Sequence, residues 1–366
     1  MMSASATILI MAGGTGGHVF PGLAVAESLR RRGHRLAWLG TGRGIENEVV
    51  PAAGLPLHHL SVAGVRGRGP IPKLMAPFRL VLALIQALRL LRRLRPDVVL
   101  GLGGFASGPG GLAAWLLRVP LVIHEQNAVA GTTNRWLARL ARRRLCAFPG
   151  ALPERFNPEV VGNPIRAAMA DIAPPEQRGT GTHKPLRLLV LGGSQGALAI
   201  NQLVPAALSR LPAGQRPDVL HQCGRAHEEI TRQAYARHDV AAQIRPFVED
   251  MAAALEWADL VVSRAGALTV SELAAVGVGS LLIPFPFAID DHQTRNGERL
   301  VRAHAARLLP QSELNEETLA AALQSVLQPE LLQSWARSAR AAGQPNATEN
   351  VVAILENCME PRHDAS

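Results

Sequence analysis

The chain has 366 residues, 48% of them apolar, which is enough for two buried cores and too long for one ordinary domain. Cys146, Cys223 and Cys358 have neither CxxC spacing nor histidine partners at ligand spacing, which argues against a disulfide framework or a structural zinc and points to a reducing, cytoplasmic chain. The net charge of +9 is uneven: residues 1–166 hold 21 Lys and Arg against 7 Asp and Glu, and residues 167–366 hold 17 against 22.

The opening stretch "MMSASATILIMAGG" has no basic segment before its apolar run and passes straight into glycines, so it predicts a first β-strand and no secretion signal. Gly13, Gly14, Thr15, Gly16 and Gly17 follow, then His18, with a helix expected from Pro21. Glycines let a backbone approach a ligand closely, and a helix start presents amides and a positive dipole end, so this loop suits an anion. His18 is the acid–base group at its mouth.

After "RLAWLG" and a helix near Glu46 comes a cationic segment, Arg66 to Arg95, with eight basic residues and no acid. As a helix it sets Arg79, Gln86, Arg89 and Arg93 near one stripe and Leu80, Leu84, Leu88 and Leu91 elsewhere, which fits either a core helix with a solvated edge or a face toward an anionic surface. Just ahead, "VRGRGPIPKLMAPF" reads as a loop whose Lys73, Leu74, Met75, Phe78 and Arg79 mix apolar and cationic side chains, as at a lipid interface. Gln86 and Arg89 break the longest apolar region, so no membrane span is expected. One tyrosine and eight phenylalanines leave little for base stacking, which disfavours nucleic acid as a partner.

"DVVLGLG", a helix over 109–117, "PLVIHEQ" and a helix over 131–141 continue a doubly wound parallel α/β pattern, with Glu125 at the end of the fourth expected strand. No GxxxxGK[ST] is present, which excludes a P-loop nucleotidase. "GLGGFA" at Gly101–Ala106 does match G-x-G-x-x-A, and the dehydrogenase alternative stays open at this point. Residues 167–185, rich in Pro, Gly and charge, read as a linker between a domain at 1–166 and another at 186–366, whose last helix is free to pack back on the first. Residues 186–208 repeat the strand, glycine loop and helix of residues 6–29, so two similar units facing across a cleft are expected.

In the second half, "DLVVSRAGALTVSELAAVG" predicts a buried strand, a turn and a helix from near Ala267, whose first amides suit a diphosphate. Glu272, a turn in, suits a vicinal diol, although a first-turn acid is common on dipole grounds alone. "PFPFAIDDHQTRNGERL" then clusters His292, Gln293 and Asn296, groups suited to sugar hydroxyls. No metal-ligand spacing is visible, so the helix start and arginines are left to neutralise the phosphates.

"GGTGGHVFP", "GGFASGP", "HEQNAVAG", "GNPIR", "LGGSQGA", "SRAGALTVSE" and "DDHQTRN", in that order over nearly the whole chain, resemble the MurG family of bacterial N-acetylglucosaminyltransferases. The resemblance implies a GT-B fold of two tandem Rossmann-like domains. It implies inverting transfer of N-acetylglucosamine from UDP-N-acetylglucosamine to the muramyl C4 hydroxyl of lipid I, giving lipid II. It further implies no cofactor or metal, a peripheral place on the anionic cytoplasmic face of the inner membrane, and cell-wall and division proteins as partners. Its donor site would comprise Ala267, Leu268, Thr269, Val270, Ser271 and Glu272, with Val248 beside uracil, Ser194 and Arg166 at the diphosphate, and Gln293 and Asn296 on the sugar. Thr15, Gly16, Gly17 and Asn127 would approach that sugar from the other domain. Gly13, Gly14, Gly103, Gly104 and Phe105 would take the acceptor, with His18 or Glu125 as the base. Many members carry Tyr where this chain has Phe105, so a phenolic hydroxyl is not required here; "PFPFAIDDHQ" also departs from some members, which leaves Gln293 and not His292 carried over. A UDP-N-acetylglucosamine 2-epimerase of the same fold and a non-enzymatic phosphate-binding membrane protein are the alternatives.

Overall fold

The structure, a computed structural model, describes residues 5–61, 76–193 and 196–359. The chain divides into two compact units, Met1–Arg166 with Asn346–Ser366, and Ala167–Pro345.

The first unit contains β1 (Thr7–Met11), α1 (Gly16–Arg31), β2 (Arg35–Thr41), α2 (Glu46–Ala52), β3 (Leu57–Leu60), α3 (Ala76–Leu94), β4 (Val98–Gly101), α4 (Ser107–Leu116), β5 (Leu121–Glu125), α5 (Thr132–Leu137), β6 (Arg143–Cys146) and β7 (Glu159–Val160), and it also takes in the C-terminal helix Ala347–Met359. Among the described residues its strands form one parallel sheet in the order β3-β2-β1-β4-β5-β6-β7. Successive side chains of β1 face opposite ways. Ile8 and Ile10 pack with Val25, Trp38 and Leu355, whereas Leu9 and Met11 pack with Leu39, Leu91 and Leu137. Helices therefore cover both faces, which is why these strands are apolar without alternation. The order reverses between β1 and β4, and in such sheets the loops leaving the strand ends at the reversal form the ligand crevice. The C-terminal helix is fastened to α1: Ser28 Oγ donates to Glu349 at 2.7 Å, and Arg32 pairs with Glu356 at 2.6 Å and with Glu349.

Three expectations change here. The first helix starts at Gly16, with Thr15 as its extended N-cap, so Pro21 sits inside it and His18 lies in its first turn. The short segment Leu57–Leu60, whose two histidines mask any alternation, is an additional edge strand, which makes the strand ending at Glu125 the fifth. On α3 the buried stripe is Ala83, Ala87 and Leu91, while Leu80 is exposed and Gln86 is tied to Ser61, its Oε1 accepting from the Ser61 amide at 2.9 Å. Alanines permit close helix-to-sheet approach, and they share the inner face with Leu91, with Leu84 and Leu88 partly buried beside them.

The second unit contains α6 (Ala167–Ala170), α7 (Pro175–Arg178), β8 (Arg187–Leu191), α8 (Leu198–Ser209), β9 (Asp218–Gln222), α9 (Glu228–Arg237), β10 (Gln243–Arg245), α10 (Met251–Trp257), β11 (Leu260–Ser263), α11 (Ala267–Val276), β12 (Gly279–Leu282), α12 (His292–Arg302), β13 (Ala306–Leu308), α13 (Glu316–Val326) and α14 (Pro329–Ala342). Its described strands form a parallel sheet in the order β10-β9-β8-β11-β12-β13. Residues 167–185 are not a free linker. Arg178 donates to the carbonyls of Val276 and Gly277 at 2.9 and 2.7 Å, closing the end of α11, and the Gly181 amide donates to buried Asp259 at 2.7 Å. Such contacts run through single polar side chains and leave no periodic signature in the sequence.

Candidate active site

At the switch point of the first sheet the loops after β1 and β4 are in contact. Gly103 and Gly104 have φ of +100° and +82°, and a Cβ on Gly104 would lie 2.6 Å from the Gly13 carbonyl oxygen. Only glycine fits there. A Cβ on Gly103 would lie 3.1 Å from His18 Nε2 and 3.7 Å from Asn134 Nδ2, so the imidazole lies over this bend with Asn134 beside it. His18 Nδ1 is 3.5 Å from Thr15 Oγ1, and the His18 amide donates to the Thr15 carbonyl at 3.1 Å. Phe105, next along, is 59% exposed.

Glu125 closes β5 within a network of donors. It is 2% exposed, and both carboxylate oxygens are engaged: Oε1 accepts from the amide and Nδ2 of Asn127 at 3.0 and 3.3 Å, and Oε2 from the Gly131 amide at 3.1 Å and Asn134 Nδ2 at 2.9 Å. A buried carboxylate spent on four donors organises the loop between β5 and α5 and is poorly placed to take a substrate proton. Asn134, absent from the sequence-derived set, also donates to the His124 carbonyl at 3.0 Å, and its buried Oδ1 has no hydrogen-bond partner among the described residues. Its sole sequence signal is an amide on the inner face of a short helix. His124 is fully buried, with Nε2 2.8 Å from the Gly162 carbonyl, and burial lowers its pKa to about 4.

In the second unit α11 begins after Gly266 in extended conformation (φ −64°, ψ 143°), so the amides of Ala267, Leu268 and Thr269 have no carbonyl of their own helix to meet. Glu272 lies a turn further along, 7% exposed. Val270 is fully buried, and the Ser271 hydroxyl donates to the Ala267 carbonyl at 2.9 Å. Gln293 Oε1 accepts from the Phe285 amide at 2.9 Å, which orients the side chain to offer its NH₂ group. Asn296 is fully buried, and its Nδ2 donates to the Ala265 carbonyl at 3.3 Å, joining α12 to the turn before α11. Just ahead of α12, Asp290 and Asp291 both have left-handed φ (53° and 49°), with Thr294 Oγ1 donating to Asp291 at 2.7 Å. Consecutive non-glycine residues in this region mark a backbone held by its surroundings.

Val248 lines a groove of about 540 Å³ that runs past Leu220, Phe247 and Trp257. Ser194 lies outside the described residues, but its neighbour Gly193 is held by Gln222, which sequence reasoning overlooked. Gln222 Oε1 accepts from the Gly193 amide at 3.1 Å, and Nε2 donates to the Gly193 and Pro246 carbonyls at 2.9 and 3.4 Å. Arg166, His18, Asn127 and the Thr15–Gly17 loop belong to the first unit; Val248, the α11 residues, Gln293 and Asn296 belong to the second.

Of the interfacial set, Lys73, Leu74 and Met75 lie outside the described residues. Phe78 and Arg79 are exposed near the start of α3, and Val81, Leu82 and Ile85, unremarked in the sequence, join them at 39–54% exposure. None of the described helices is long and apolar enough to cross a membrane, and no described group of His, Cys, Asp or Glu could hold a metal ion.

Two doubly wound parallel sheets in tandem, each with a glycine loop after its first strand, define the GT-B class of glycosyltransferases. Residues 8–145 match the glycosyltransferase family 28 N-terminal domain and residues 187–351 its C-terminal domain. The chain belongs to glycosyltransferase family 28. It is 58% identical, over 96% of its length and 98% of the relative's, to the UDP-N-acetylglucosamine--N-acetylmuramyl-(pentapeptide) pyrophosphoryl-undecaprenol N-acetylglucosamine transferase of Alkalilimnicola ehrlichii. The crystal structure of Acinetobacter baumannii MurG matches with a TM-score of 0.84 and 41% identity, over 96% of this chain and 99% of that one. The UDP-GlcNAc 2-epimerase from Neisseria meningitidis, at 11% identity and a TM-score of 0.64 over 96% of this chain and all of that one, shares the fold alone.

Proposed function

We propose that this enzyme transfers N-acetylglucosamine from UDP-N-acetylglucosamine to the C4 hydroxyl of the muramyl sugar of lipid I, with inversion, giving lipid II. The near full-length likeness to a relative bearing that activity in its name carries the reading. His18 is the base: its ring lies over Gly103, where the loops of the reversal point meet, while Glu125 is committed to its loop. As the hydroxyl oxygen bonds to the anomeric carbon, His18 Nε2 takes the proton and the bond to UDP breaks, leaving negative charge on the diphosphate. The first amides of α11 answer that charge, Glu272 holds the ribose diol, and the Gln293 NH₂ group donates to the sugar. His18→Ala should lower kcat by ~10²- to 10⁴-fold with donor affinity unchanged.

The membrane-facing element is α3. Phe78, Val81, Leu82 and Ile85 follow one another at helical spacing on its exposed side, and Arg79, Arg89 and Arg92 flank them. This exposed row supports a peripheral location on an anionic bilayer surface, where a lipid-linked acceptor would reside. Radiolabelled UDP-N-acetylglucosamine, incubated with and without a lipid I analogue, tests the reading. Label entering lipid supports it; a 2-epimer formed without acceptor, or binding with no reaction, overturns it.

A further inference from the structure

Glu46 opens α2 as a fully buried carboxylate, and no cation pairs with it among the described residues. An unpaired buried charge is costly unless hydrogen bonds replace its water. They do so here: Oε2 accepts from the Gly14 amide at 2.9 Å, and Oε1 accepts from the Thr41 amide at 3.2 Å and lies 2.9 Å from Thr41 Oγ1. Room for the carboxylate comes from three glycines in three segments. A Cβ on Gly13 would lie 2.6 Å from Oε1, one on Gly40 would lie 3.0 Å from Cγ, and one on Gly44 would overlap Oε2. Part of the glycine content around the first loop is thus explained by Glu46 and not by a ligand.

The Gly14 peptide leads directly into Thr15, the N-cap of α1, and His18 follows three residues later. We propose that Glu46 is a positioning residue for the acceptor side of the reaction: it fixes the first glycine loop, and through it His18, in the shape that receives the acceptor. The inference rests on the transferase reading above. By occupying the Gly14 amide it also leaves the amides of Thr15, Gly16 and Gly17 as those the loop offers to an anion. The charge matters because a neutral amide of the same size must turn its NH₂ group toward either the Gly14 or the Thr41 N–H, donor against donor.

Steady-state kinetics of Glu46→Gln and Thr41→Val with a soluble-chain lipid I analogue, together with UDP binding by calorimetry, test this. Glu46→Gln should lower kcat/KM for the acceptor at least tenfold, with donor KM and UDP affinity within twofold of wild type. Thr41→Val, which loosens the carboxylate but spares the Gly14 bond, should shift the same acceptor parameters less. Unchanged acceptor kinetics, an equal fall in donor and acceptor parameters, or loss of folding in both variants would each overturn the proposal. Failure of the wild-type protein to transfer at all would instead sink the underlying reading.

Discussion

Asn134 Nδ2 donates to Glu125 Oε2 at 2.9 Å while the same amide donates to the His124 carbonyl, so one side chain ties the end of β5 to the start of α5. Glu125→Ala would leave four donors, on half-buried Asn127, on Gly131 and on buried Asn134, without this acceptor. It should cost about 2–4 kcal/mol of stability and lower the melting temperature along with activity. His18→Ala should lower activity with the melting temperature unchanged. Calorimetry on the two variants side by side separates these roles; a Glu125→Ala protein as stable as wild type but inactive would return Glu125 to the chemistry.

The donor side gives a second expectation. Hydrogen bonds to a charged acceptor are worth roughly 1.5–3 kcal/mol, so Glu272→Ala should reduce kcat/KM for UDP-N-acetylglucosamine ten- to a hundredfold, chiefly through donor KM. Gln293→Glu, which keeps an acceptor for the Phe285 amide but replaces the outward NH₂ donor with an acceptor, should reduce it by a similar factor. Unchanged donor kinetics in both would move the nucleotide sugar away from α11 and α12.

Stability should fall with acid in a defined window. Burial holds His124 down to about 4 and His221 to about 3. Below pH ~6.5 the unfolded chain takes up protons on both that the native protein refuses, so each removes roughly 1.4 kcal/mol per pH unit as pH drops toward 4, and neither contributes above pH ~7. Urea unfolding from pH 7 to 4.5 should show this, and His221→Gln should flatten the slope by about one proton. Identical slopes for variant and wild type would mean that His221 titrates normally.

The exposed row on α3 predicts a separable defect. Replacing Val81, Leu82 and Ile85 with Ser should weaken sedimentation with anionic vesicles about tenfold or more, since each residue surrenders apolar area to the interface. Turnover of a short-chain soluble acceptor should persist. Loss of both together would show that these residues support the fold of the first unit.

The parallel architecture was legible because both sheets are covered on both faces, which makes strands such as Thr7–Met11 and Leu260–Ser263 largely apolar runs without alternation, each followed within three residues by a glycine. The start of α11 was legible for the same reason: glycine turn, then periodic apolar residues. What escaped were single polar contacts. Glu46 served only to place a helix and Gln222 and Asn134 drew no notice, because each acts through a single polar contact on a loop outside its own element. On α3, Leu80 of the expected leucine stripe faces solvent, and Ala83 and Ala87, which carry no strong apolar signal, complete the inner face with Leu91.

The most direct test of the account is the structure of the product itself. The enzyme should be incubated with UDP-N-acetylglucosamine and a lipid I analogue, and the purified disaccharide read by mass and by the anomeric proton coupling. The account predicts one added N-acetylglucosamine joined to the muramyl C4 oxygen with a large, β-type coupling. A small, α-type coupling, attachment at another hydroxyl, or conversion of the donor alone would contradict it.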